Sequence, residues 1–62
     1  MNDYDVRLYR SDNTLSLIIK TAADSFAEIE QAAWAMLRGN IVRAEVWREH
    51  RRVAVVASLM KP

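Results

Sequence analysis

The side chains with the most obvious capacity for chemistry lie together in residues 48–52, around His50, which is the chain's one histidine. Imidazole is the usual general base at neutral pH, and neighbouring arginines can grip a phosphate or an acidic partner through paired hydrogen bonds. No orienting carboxylate or nucleophile stands at a recognisable spacing from His50. The surrounding run is more typical of a solvated turn: Arg48, Glu49, Arg51 and Arg52. We therefore expect no enzymatic activity.

A metal or cofactor site has equally little support. Asp3 and Asp5 are two residues apart, so in a strand their carboxylates would point the same way and could share a cation. Two carboxylates alone are a weak metal signal, and solvated charges are the simpler interpretation. The sequence has no cysteine, so it can form neither a disulfide nor a thiolate zinc site. We expect no metal and no cofactor.

The size of the chain constrains how it can be stabilised. Its 62 residues predict one domain, 1–62, and a hydrophobic fraction of 52% is ample for a packed core. A domain of this size hides only about 60% of the surface of its unfolded chain, so disulfides, metals or a partner chain often help it to fold. Since the first two are not expected, we expect a homodimer or, as the alternative, another protein partner.

Charge and hydropathy argue against several classes of protein. The formal net charge is +1, which is not the footprint of a dedicated nucleic-acid binder or of a polybasic membrane anchor. Residues 1–5 are acidic and polar where a signal peptide would be basic and then apolar, and no apolar run approaches the length of a membrane span. We therefore expect a cytoplasmic protein that does not contact a membrane.

The first part of the chain alternates between polar and apolar residues as strands do. In residues 4–9 and 14–20 the positions expected to face a core are Tyr4, Val6 and Leu8, then Leu15, Leu17 and Ile19. Pairing even-numbered with odd-numbered residues requires an even number of loop residues. A two-residue turn at Asp12 and Asn13 would supply that number, so the sequence predicts a tight hairpin there.

From residue 21 the period changes to that of a helix. Ser25 and Glu28 have the spacing of a capping box, in which each side chain accepts a hydrogen bond from the other residue's backbone amide. Gly39, followed by Asn40, supplies a stop signal at the other end. At about 100° per residue, one stripe of this helix is apolar: Phe26, Ile29, Ala33, Met36 and Leu37.

After Asn40 the alternation of strands returns. In residues 41–48 and in the last strand we expect these side chains to face the helix: Val42, Ala44 and Val46, then Val53, Val55, Ala57 and Leu59. The sequence therefore predicts an α+β fold in the order ββαββ, with one helix packed on one face of a four-stranded, mainly antiparallel sheet.

The opposite face of that sheet carries more apolar and aromatic residues than a solvated face should. We expect these residues to form an interaction surface through which the protein self-associates, either by the sheet face or by a sheet edge: Tyr9, Ile18, Arg43, Trp47 and Val56. Single exposed apolar residues are also common, which is the simpler alternative.

The same surface supports a second function. Tyr9 and Trp47 beside arginines are the ingredients with which sheet-based proteins stack unpaired bases and neutralise phosphates. Asp5 and Glu45 on that face, the low net charge and the lack of any glycine-and-aromatic RNA-binding signature argue against it. Binding of single-stranded nucleic acid is therefore the alternative, and an interaction module is the leading hypothesis.

Overall fold

The computed structural model describes residues 1–60, so the last two residues of the expected domain lie outside the description. Four strands, one α-helix and a short 3-10 turn follow one another along the chain: β1 (Asn2–Arg10), β2 (Leu15–Ala23), α1 (Phe26–Ala35), β3 (Ile41–Arg48), β4 (Arg51–Ala57) and Ser58–Met60. The strands form one sheet in the order β2-β1-β3-β4, and every neighbouring pair is antiparallel. The α+β fold in ββαββ order is confirmed.

The helix covers one face of the sheet, here called the inner face. Ile29 and Ala33 of α1 are fully buried there, and the core they form takes its remaining members from the four strands: Tyr4, Val6, Leu8, Ala23, Ala44, Val46 and Val56. Phe26, which was expected on the same stripe, is half-exposed because the buried helical contacts begin one turn later, at Ile29. The face away from the helix is called the outer face.

The helix α1 begins where the sequence predicts, but it ends earlier than predicted. The Ser25 hydroxyl accepts from the Glu28 amide at 3.1 Å as expected, whereas the Glu28 carboxylate accepts from the Asp24 amide at 3.4 Å rather than from that of Ser25. The helix ends at Ala35, before the predicted stop. Gly39 adopts the left-handed conformation, with φ +59°, inside the turn that leads to β3.

The first hairpin keeps the expected pairing but has a different turn. Leu8 pairs with Leu17, as the even-to-odd prediction required. The Arg10 amide donates to the Thr14 carbonyl at 2.9 Å, which encloses three residues instead of two. Asn13 ends this turn with φ 70°, a conformation that asparagine tolerates well. Next to this turn Ser16 is an extra residue in β2, because Leu15 pairs with Tyr9 and Leu17 pairs with Leu8. This bulge restores the even-to-odd pairing, and it places Leu15 on the face opposite to that of Leu17.

Val53 packs against the core as predicted, but the predicted faces of the last strand are wrong beyond it, and a bulge is the reason. Val46 pairs with Ala54, but the next residue of β3, Trp47, pairs with Arg52, which leaves Val53 as an extra residue in β4. One extra residue exchanges the two faces of everything beyond it. Val56 therefore lies buried in the core, and Val55 lies on the outer face opposite Glu45.

Two smaller expectations also fail for local reasons. Val42 falls at a similar bulge between β1 and β3, so Ile41 packs against the core in its place. Leu59 belongs to the 3-10 turn after β4 and is 100% exposed. Alternation applies only as far as the strand continues without an extra residue.

The turn between β3 and β4 contains a strained residue. Arg48 pairs with Arg51, so the turn has two residues, and Glu49 is the first of them with φ 58°. A side chain with a Cβ is disfavoured there, whereas glycine adopts this conformation freely. We expect Glu49→Gly to raise the free energy of unfolding by about 0.5–1 kcal/mol, measured by urea denaturation. Glu49→Ala removes the same charge without relieving the strain, and an equal gain from it would contradict this explanation.

Candidate functional site: the outer sheet face

The strand register arranges the outer face in three rows that run across the sheet from β2 to β4. The first row holds Lys20, Asp5, Trp47 and Arg52, the second holds Ile18, Arg7, Glu45 and Val55, and the third holds Leu15, Tyr9, Arg43 and Ala57. The aromatic rings, two of the arginines and both carboxylates lie on the central strands β1 and β3. The side chains that the edge strands β2 and β4 contribute to these rows are mostly aliphatic.

Two arginines lie over the two aromatic rings of this face. The Arg7 guanidinium carbon is 4.1 Å from the centroid of the Trp47 ring, and that of Arg43 is 4.1 Å from the centroid of the Tyr9 ring. At this distance the cation is attracted by the electron-rich face of the ring. Both stacks join β1 to β3, so they fix the arginine side chains in the middle of the face.

Glu45 is the hydrogen-bond acceptor at the centre of the same cluster. It is only 7% exposed, and its Oε1 atom accepts from the Tyr9 hydroxyl at 3.3 Å and from the Trp47 indole nitrogen at 3.1 Å. Its Oε2 atom pairs with Arg52 at 3.4 Å. A carboxylate this buried needs such donors, because an unpaired buried charge is costly. These bonds also hold the edges of the two rings in place.

The charges of the face do not cancel. Across the three rows four side chains are cationic and two are anionic, and the most buried of the anions, Glu45, is paired with Arg52. The side chains of Arg7 and Arg43 make no hydrogen bond or ion pair within residues 1–60, and the Nε atom of each is buried without a partner. The centre of the face therefore presents two ordered guanidinium groups whose donors are unused.

The β2 strand forms one edge of the sheet and is apolar on both of its faces. Leu17 on the inner face is 48% exposed, and Ile18 on the outer face is 50% exposed. Leu15, at the start of the strand, is 44% exposed. Because no strand of the described residues, 1–60, pairs with the second side of β2, half of its backbone amides and carbonyls also lack a partner strand.

The basic turn around His50 forms an open cleft of about 630 Å³, lined by Arg48, Glu49, His50, Arg51 and Val53. His50 is exposed. The Arg48 side chain donates to the Asn2 side chain at 3.0 Å, and its guanidinium carbon lies 5.9 Å from the centroid of the Tyr4 ring. Within residues 1–60, no three histidine or carboxylate side chains are grouped so that they could hold a metal ion.

The sequence-predicted surface is partly brought together. Tyr9, Arg43 and Trp47 lie in one cluster, and Ile18 lies at its flank in the second row. Val56 is on the other side of the sheet and Val55 stands in its place. The central role of Glu45 was missed, although its position between Arg43 and Trp47 on one strand face placed it there.

No protein-family model matches the chain, and no curated protein or solved structure is significantly similar to it. Among residues 1–60, no helix has the length and apolar character needed to cross a membrane.

Proposed function

We propose that the protein is a small interaction module that self-associates through the edge of β2. The observation that carries the proposal is that this nine-residue edge strand exposes apolar side chains on both faces. A long edge strand of this kind is a template for pairing with another strand. A second copy is the natural occupant, since the strand is complementary to itself.

An antiparallel pairing about a two-fold axis at Ile18 fits the residues of β2. Ile18 would then face Ile18 of the partner subunit on the outer side of the sheet, and Leu17 would face Ile19 of the partner subunit on the inner side. Lys20 would lie beside Ser16 of the partner subunit, where β2 bulges, so no like charges would meet. Apolar cross-strand pairs of this kind are favourable, and the half-exposed side chains of Leu17 and Ile18 would be covered.

Charge favours the edge over a face-to-face dimer. Two outer faces brought together would oppose surfaces that each carry an excess of positive charge, with Arg7 and Arg43 unpaired in both. Burying unpaired cations is strongly unfavourable. Pairing at the β2 edge leaves those arginines in solvent and would extend the sheet to eight strands, with both helices on one side.

The test is sedimentation equilibrium of the full chain with matched lysine substitutions at the two edges of the sheet. We expect the wild-type chain to form a dimer and Ile18→Lys to raise the dissociation constant about tenfold or more, because two lysines would meet at the two-fold axis. Val55→Lys changes the same row of the same face at the opposite edge, and it should leave the dimer intact.

A third variant separates the edge from the face. Trp47→Glu alters the centre of the outer face, so it should weaken a face-to-face dimer and spare an edge dimer. A wild-type chain that stays monomeric at all concentrations would refute self-association. Dissociation by Val55→Lys or Trp47→Glu, with Ile18→Lys unaffected, would move the interface away from β2.

A further inference from the structure

We infer that Arg7 and Arg43, each of which is stacked on an aromatic ring, form a docking site for an acidic, extended segment of another protein. This second surface lies on the central strands β1 and β3, whereas the proposed dimer uses the edge of β2. Binding is therefore expected in monomer and dimer alike, and it does not depend on the proposed function.

The arginines are ordered before any partner arrives. Each guanidinium is held 4.1 Å above a ring, and the rings are fixed in turn by their hydrogen bonds to Glu45. An arginine that is already immobilised loses little side-chain entropy when it forms a hydrogen bond. The terminal nitrogens of Arg7 and Arg43, unlike their buried Nε atoms, are thus prepared to receive an anion.

Carboxylate groups match what these donors offer. A guanidinium pairs with a carboxylate through two parallel hydrogen bonds, and the excess of cations on the face complements an acidic partner. Beside the arginines, β2 contributes Ile18 on one side, and β4 contributes Val55 and Ala57 on the other. A segment in which acidic and apolar side chains are interspersed would therefore meet suitable contacts across the whole face.

The same geometry is poorly suited to nucleic acid. A base would need an open aromatic plane to stack on, and the rings of Tyr9 and Trp47 each have a guanidinium over one face. The edge strands add only Lys20 and Arg52 to the outer face as further cations, and Arg52 is already paired with Glu45, whereas a phosphate backbone is bound by a row of free cations. Tryptophan, tyrosine and arginine are instead the residues that dominate binding energy at protein interfaces.

The test is a fluorescence titration of the full chain carrying Trp34→Phe, so that Trp47 is its one tryptophan. The probe is a short peptide in which glutamate alternates with valine, and it is compared with oligodeoxythymidylate of equal charge. We expect the peptide to change the Trp47 emission and to bind more weakly as salt is raised. Arg43→Gln and Arg7→Gln should each weaken binding about tenfold or more.

Two further variants keep the result interpretable. Arg51→Gln removes the same charge at the exposed turn between β3 and β4, and it should have little effect. Arg43→Lys retains the charge without the planar fork, so its affinity should fall between wild type and Arg43→Gln. The inference is overturned if the oligonucleotide binds as tightly as the peptide, if neither binds, or if Arg51→Gln weakens binding as much as Arg43→Gln.

Discussion

Ile29→Ala is expected to lower the free energy of unfolding by about 2–5 kcal/mol, the usual range for truncating a buried aliphatic side chain. Ile29 is the largest fully buried side chain of α1. Domains of this kind have a total stability of about 5–15 kcal/mol, toward the low end for a short chain. The variant should therefore be largely unfolded in mild denaturant where the wild type is folded, as circular dichroism during urea titration will measure.

Leu59→Ala is the control for that experiment. It removes aliphatic carbons from a side chain that is 100% exposed, so the free energy of unfolding should change by less than about 0.5 kcal/mol. Equal losses from the two variants would mean that the helix does not pack on the sheet through Ile29.

Glu45→Ala is expected to cost about 2–4 kcal/mol, an unusually large loss for a residue on the helix-free side of a sheet. The change removes the acceptor for the Tyr9 hydroxyl and for the Trp47 indole, and a half-buried donor left without a partner costs about 1–3 kcal/mol. The ion pair with Arg52 adds little because the Arg52 side chain is 54% exposed. Urea denaturation measures the loss.

Glu45→Gln separates the two contributions. A glutamine oxygen can still accept from Tyr9 and Trp47, whereas its neutral amide cannot pair as an ion with Arg52. We expect this variant to lose only about 1 kcal/mol. If Glu45→Gln destabilised the protein as much as Glu45→Ala, the negative charge and not the hydrogen-bond acceptor would be what stabilises the face.

Local sequence signals were sufficient for most of the fold. The alternation of Tyr4, Val6 and Leu8 predicted the inner face of β1, and Ser25 predicted where α1 begins. Both features depend on neighbours within a few residues, which is why they can be read from the chain alone. The antiparallel pairing of Leu8 with Leu17 followed from the same alternation.

The bulges could not be predicted in this way. Whether Val53 is paired or extra depends on how β4 meets β3 and the helix, and both Val55 and Val56 suit either face by residue type. Val56, the β4 member of the predicted surface, was therefore placed on the wrong face, whereas Tyr9 and Trp47 on the central strands were placed on the correct one. The pairing of each ring with its own arginine required the strand order, which no local pattern reveals.

The contacts of the outer face can form only after the two hairpins of the chain have docked. β1 and β2 form one hairpin, β3 and β4 form another, and only the pairing of β1 with β3 joins the two. Tyr9 and Glu45, which meet at this join, are 36 residues apart in the chain, and contacts so distant form only after the loop between them has closed. The arginine stacks cross the same join. Any partner that recognises this surface will therefore select chains whose two hairpins have already docked, and by mass action it will protect the whole molecule against unfolding.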